Sequence, residues 1–479
     1  MTSDGSSIER LREYLQGLSP QARAMLLAEL ERALLRDHDI GDSELVLQEL
    51  RRTIRATAQP VPRIGDAARR FYVPLEPFLI DGAADHKRAG RLARVSLEPI
   101  WEWIGRDLMP AETKVLTDDI NRALLAEDSV KADRSVRALH ECAIQRMSAA
   151  IGALEAGDKA QRRFSVQVGT PRALEDVTML MHVLALRDTL AELARRLPDH
   201  YRVFEHEDAA EVKALLERLS TQRSLSHAPT QRSDFFLYGL IIVANRMAMP
   251  WQLIRLATLA AESDDTARIA ATPYAAAVTI VLSDLEHAVS ELRSELKAGR
   301  PVGWLLKSIH NAARVMRTEM DLSADSAWSR QLAAIRTAVS NLLASELETT
   351  PGRVRRLLRP RPVSEIVAGS QLDPMDVQEV EMRVELVAAC RQYASELAVS
   401  EVTLRTRSDL TQYLETGARA LVDALRQAGD AERPFRRSQI EAAVRFCRTV
   451  FGAEYAELLA KAAEVALQGA AADRRSARA

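Results

Sequence analysis

Apolar residues recur along most of this chain at intervals of three and four, the spacing of one face of an α-helix. Ser19-Pro20 opens the first such segment, with Leu26, Leu30, Ala33 and Leu34 on one side; Ser suits the cap and Pro the first turn. Leu45, Leu47, Leu50 and Ile54 mark a second helix over 43–58, and Gln59-Pro60-Val61-Pro62 reads as a linker. Val136, Leu139, Ala143, Met147, Ala150 and Leu154 define a helix from Ser129 that Gly157 stops. Thr170-Pro171 and Thr272-Pro273 start two more, the second carrying Val278, Val281, Leu285, Val289, Leu292 and Leu296. Further helices fit 209–219, 301–320, 326–346, 401–427, 437–450 and 453–468. Asp373-Pro374 opens a helix whose Val377, Val380, Val384 and Val387 form a bundle or coiled-coil seam.

The most apolar stretch is Phe235–Ala261. Its uncharged run, Phe235–Ala244, is ten residues long, half of the roughly 20 that a bilayer span needs. Asn245-Arg246 and Pro250 end it, so the expectation is a buried helix, a corner, and a second helix from Trp251. Pro74 and Pro77 inside FYVPLEPFLIDG predict a broken helix over 63–105, with Trp101 and Trp103 as core anchors whose indole N–H groups find carbonyls. Period-two alternation persists nowhere, so no strand is expected.

These elements predict an all-α fold, with antiparallel helix pairs packed into two or three bundles; whether the array is compact or elongated the pattern leaves open. The expected divisions are an N-terminal helical segment (1–58), a central helical core (63–348) built around 235–298, an Arg/Pro-rich linker (349–372), a C-terminal bundle (373–469) and a disordered basic tail (470–479). Unequal spacing of the Ser/Thr/Asp-Pro helix starts argues against a repeat array.

Composition narrows the function classes. Of 479 residues, 47% are hydrophobic and 28% charged, enough to bury a core, and the formal net charge of −2 gives no global field toward nucleic acid or membrane. Cys142, Cys390 and Cys447 are odd in number and far apart, which fits neither a disulfide framework nor a cysteine-rich zinc site. Met1–Ser7 is small and polar, without the apolar core of a signal peptide, so a reducing cytoplasm is expected. Arg in preference to Lys, with abundant Ala, is the usage of a GC-rich bacterial genome.

The sequence carries no complete catalytic motif of the familiar phosphate-loop, zinc or di-iron kinds. Neither Gly-rich phosphate loop occurs, so no nucleotide cofactor is expected. His140-Glu141 lacks the second histidine of a zinc-protease helix, Ile144 standing in its place. His38-Asp39 lacks an upstream ligand for a helical phosphohydrolase. Asp284, His287 and Glu291 share a helix face, yet no Glu-x-x-His occurs to complete a di-iron bundle. His200, Glu205, His206, Glu207 and Asp208 form the best metal-like cluster, in a polar connector that needs no metal to explain it.

Two charged features remain. Arg353, Arg355, Arg356, Arg359 and Arg361 put five arginines into nine residues. They suit phosphates of nucleic acid or acidic lipid, or the acidic helix that follows (Asp373, Asp376, Glu379, Glu381, Glu385). Arg246 interrupts the most apolar stretch and is either a candidate buried polar residue that anchors an anion or partner carboxylate, or a helix-end arginine that snorkels to water or pairs with a nearby acid. The expected function is a non-catalytic scaffold or adaptor that works through protein partners or self-association. A phosphate-binding module on 353–361 and a helical metalloenzyme using His200 and His206 are the alternatives.

Overall fold

The computed structural model describes residues 66–83, 88–221 and 229–478, with side chains for 67–83, 88–221 and 233–468, together with Leu26 and Val46. The helices expected over 19–34 and 43–58, the 59–62 linker and His38-Asp39 therefore lie outside the described residues.

The protein is all-α, with seventeen α-helices among the described residues. The first half comprises α1 (Asp66–Tyr72), α2 (Leu97–Trp103), α3 (Pro110–Leu125), α4 (Ser129–Gly152), α5 (Asp158–Val168), α6 (Ala173–Arg196), α7 (His206–Ser220) and α8 (Pro229–Asn245). Then come α9 (Leu253–Ala261), α10 (Thr266–Ala270), α11 (Ala275–Lys297), α12 (Gly303–Glu319), α13 (Ala327–Leu358), α14 (Pro374–Tyr393), α15 (Ser400–Gln427), α16 (Arg433–Phe451) and α17 (Ala453–Arg478). Short connections set neighbours such as α3 and α4, or α16 and α17, side by side. One buried apolar cluster runs from Ala67 to Ala466. No helix among the described residues is long and apolar enough to cross a membrane.

The broken segment is more varied than its prolines predict. Val73–Phe78 is a 3-10 turn, and Leu79–Ile80 pairs in parallel with Leu92–Ala93 in a two-residue ladder too short to give period-two alternation. Trp103 is buried edge-on to Phe164, and Trp101 packs on Phe71 and Tyr72. The Trp103 Nε1–H, however, has no hydrogen-bond partner among the described residues, against expectation. The loop at 88–91 docks on the central helices: Arg88 pairs with Asp284 at 2.7 Å and Ala89 N–H donates to Ser283 Oγ. Gly90, at φ +61°, lies against Ile241.

Around the apolar stretch, α8 is buried along Phe235–Ala244. The chain turns through Met247 and the 3-10 turn at Pro250–Gln252 before α9 begins. The polar connector straps this corner: Tyr201 N–H donates to Arg246 O, and Ala248 N–H to Tyr201 O.

Two expectations at the C-terminal side are corrected. The chain does not leave the helix at 349, because α13 runs through Pro351 to Leu358. Pro351 removes one helical N–H, yet Leu347, Thr350, Pro351, Val354, Leu357 and Leu358 are all buried, and that burial outweighs the roughly 3 kcal/mol cost of an interior proline. The irregular connection is thus 359–373. Nor is 470–478 irregular: its backbone continues α17. Once a helix is nucleated, Ala- and Arg-rich sequence extends it at little cost.

Candidate functional site

The arginine cluster is split between helix and connection. Arg353, Arg355 and Arg356 lie on the last turns of α13, and Arg359 and Arg361 follow it. Arg353 pairs with Glu379 of α14. Arg383, one turn further along α14, reaches Glu379 at 3.3 Å and also bonds Glu346 of α13, so two arginines and two glutamates lock the helices together. Arg355 stacks over Tyr413 at 5.8 Å and Arg361 over Phe435 at 5.0 Å; Arg359 pairs with Glu365 at 2.9 Å. Arg356 is exposed and makes no ion pair among the described residues. The backbone of the connection is held as well. Gln439, fully buried on α16, donates to the carbonyls of Leu357 and Arg359, and Arg436 donates to that of Arg361. Four of the five side chains therefore have partners inside the molecule.

Arg246 is half-buried just past the end of α8 and follows the helix-end reading. Its side chain is 28% exposed and pairs with Asp199 at 2.9 Å, because α8 ends there and the long side chain reaches the surface. The His200–Asp208 connector is not assembled as a metal site. Glu205 caps α7 and forms a capping box with Asp208, while His200 and His206 are exposed on either side of the buried Phe204. Asp284 is engaged by Arg88. Among the described residues no group of three or more His, Cys, Asp or Glu is placed to hold a metal ion.

Both Cys390 and Cys447 are buried, and burial pushes each thiol up to about 12, so neither is a nucleophile near neutral pH.

A surface that the sequence reading passed over lies on α17. Ala456, Leu459, Ala463 and Ala466 are buried, on the helix that packs against α15 and α16. Turned one residue back, Tyr455, Leu458, Ala462 and Val465 repeat the same three-four-three spacing. Leu458 is 67% and Val465 64% exposed, Ala462 is exposed, and Tyr455 stacks on Phe451 at 4.5 Å. The helix thus carries two adjacent apolar stripes and buries one. Along the open stripe stand Glu454, Glu457, Lys461 and Glu464, all exposed and without ion pairs among the described residues. The signal was legible, since 453–468 is apolar over more than one face, but periodicity alone does not say which stripe is covered.

No protein-family model, curated protein or solved structure matches this chain.

Proposed function

We propose that the protein is a non-catalytic helical scaffold or adaptor that works through protein–protein contacts. The observation that carries this reading is the open stripe of α17. An exposed row of apolar side chains spaced alternately by three and four is what a partner helix needs for knobs-into-holes packing. Its flanks favour a particular partner. Three glutamates against one lysine disfavour pairing with a second copy of the same stripe and favour a helix with basic edges. The arginine alternative is the weaker one, since four of its five side chains already have partners.

Size-exclusion chromatography with light scattering, joined to affinity purification and mass spectrometry at low and high salt, tests the proposal. A partner complex, or an oligomer, that is lost in the double variant Leu458→Glu, Val465→Glu supports it; salt-weakened capture would reflect the charged flanks. A strict monomer that retains no partner, or a complex indifferent to the two substitutions, overturns it.

A further inference from the structure

A second helix face, on α12, is exposed and opposite in charge to the open stripe of α17. Trp304, in the first turn of α12, is 60% exposed and is the only exposed Phe, Tyr or Trp among the described residues. Trp304, Lys307, Asn311 and Arg314 follow a three-four-three spacing, which places them within an arc of about 80° on the helix. Lys307 and Arg314 are exposed and have no ion pair among the described residues. Glu319 is the only acid on α12 and pairs with Arg255 at 3.3 Å, while Arg317 is taken by Glu396. The face is therefore basic, with one aromatic side chain of the kind that most often anchors an interface.

The two faces match in length and in charge. Tyr455 to Val465 and Trp304 to Arg314 each run about 15 Å at about 1.5 Å per residue. Glu457 and Glu464 stand seven residues apart, and so do Lys307 and Arg314, so both opposite pairs can close in one register. The Trp304 ring and the alkyl stems of the two cations supply apolar cover for Leu458 and Val465, leaving the charged heads to reach the glutamates. The free cations of α5, Lys159, Arg162 and Arg163, crowd within five residues and match neither the spacing nor the length. Within one chain α12 packs on α9, α11 and α14, and α17 on α15 and α16, so the two faces meet between copies.

We infer that α12 of a second copy covers the open stripe of α17, joining copies head to tail. The inference rests on the reading of α17 given above and names its partner. After one contact each end of the pair keeps a free face, so growth continues past the dimer unless a ring closes. Two faces of this length bury less than the roughly 1,000 Å² of a stable interface, so the association is weak.

Sedimentation velocity of the full chain from about 10 to 500 μM tests it. Wild-type mass should grow with concentration, and raising salt to about 0.5 M should weaken growth about fivefold. Leu458→Glu with Val465→Glu removes the stripe, and Lys307→Glu with Arg314→Glu removes the basic face. All four positions are exposed, so the unfolding midpoints should hold. Each double variant alone should stay monomeric, and their mixture should form a one-to-one complex that grows no further. Trp304→Ala should weaken wild-type association at least about tenfold, while Lys159→Glu with Arg162→Glu on α5 should leave it unchanged. A mixture that stays monomeric, or undiminished self-association of the Lys307→Glu, Arg314→Glu variant, overturns the inference. A monomeric wild type that captures a different protein through Leu458 and Val465 also overturns it and leaves the reading of α17 standing. Association indifferent to Leu458→Glu with Val465→Glu overturns both.

Discussion

Replacing His140 with Gln should change how stability depends on pH more than stability at neutral pH. In the folded protein the ring is held neutral: burial pushes it from an ordinary value of 6.5 down to about 4, outweighing the upward pull of the Phe71 carbonyl. A second proton would have to sit on Nδ1, which has no hydrogen-bond partner among the described residues. Below 6.5 the unfolded chain takes up that proton and the folded chain does not, so the unfolded state gains. The His140 contribution is therefore complete above pH 6.5, falls by about 1.4 kcal/mol per unit as pH drops, and levels off below about 4. Over the whole window the loss is about 3 kcal/mol, and between pH 7 and pH 5 it is about 2 kcal/mol. Urea unfolding of the wild type and of His140→Gln at half-unit steps from pH 7.5 to 4.5 isolates this ring, since every other titrating group is common to both chains. The stability difference should close by about 2 kcal/mol between pH 7 and pH 5, with the variant overtaking on the acid side. Two parallel curves would refute the reasoning, because they would mean that the ring titrates alike in both states.

Three further outcomes are expected. Leu458→Glu with Val465→Glu should leave the unfolding free energy within about 0.5 kcal/mol, both sites being solvent-facing, while abolishing partner or self-association in light scattering. Arg383→Ala should cost about 1–2 kcal/mol in denaturant unfolding, because it takes from Glu346 its ion-pair partner and leaves Glu379 held by Arg353 alone, the partly exposed setting keeping the loss below that of a fully buried pair; an unchanged midpoint would deny the lock. Gly90→Ala should cost about 2 kcal/mol by the same measurement, from a left-handed backbone and a Cβ that would collide with Ile241 Cδ1 at 2.3 Å.

Helices were legible wherever one apolar face is buried. The row Val377, Val380, Val384 and Val387 is buried as a seam, with the Asp373 carboxylate accepting from Met375 N–H at the predicted start. Asp-Pro could be read because cap and first turn are local chemistry. The course of α13 through Pro351 could not, since a proline reads as a stop unless the packing that overrides it is known. The pairing of Leu79–Ile80 with Leu92–Ala93 depends on a loop closing over α8 and α11, and that information is non-local. Glu379 was visible as an internal acid for the arginines, whereas the stacking of Arg355 on Tyr413 and Arg361 on Phe435 joins residues more than fifty positions apart. His140 stood beside Val136, Leu139 and Ala143 on the inward face of its helix. Tested only as a zinc ligand, it failed; its burial was already written in that stripe.

The continuity of α13 bears on how the molecule can be dissected. At about 1.5 Å per residue this helix spans about 48 Å, touching α11, α14 and α15. A chain severed at 349 would strand Val354, Leu357 and Leu358 on a stub too short to hold helical form alone, and would strip α14 of its arginine clasp. A cut within 366–371, where Val367 already faces solvent, would spare every described α-helix. Limited proteolysis should nick first there, and the two fragments should remain bound to one another through α13, behaving as a nicked single protein until denaturant parts them.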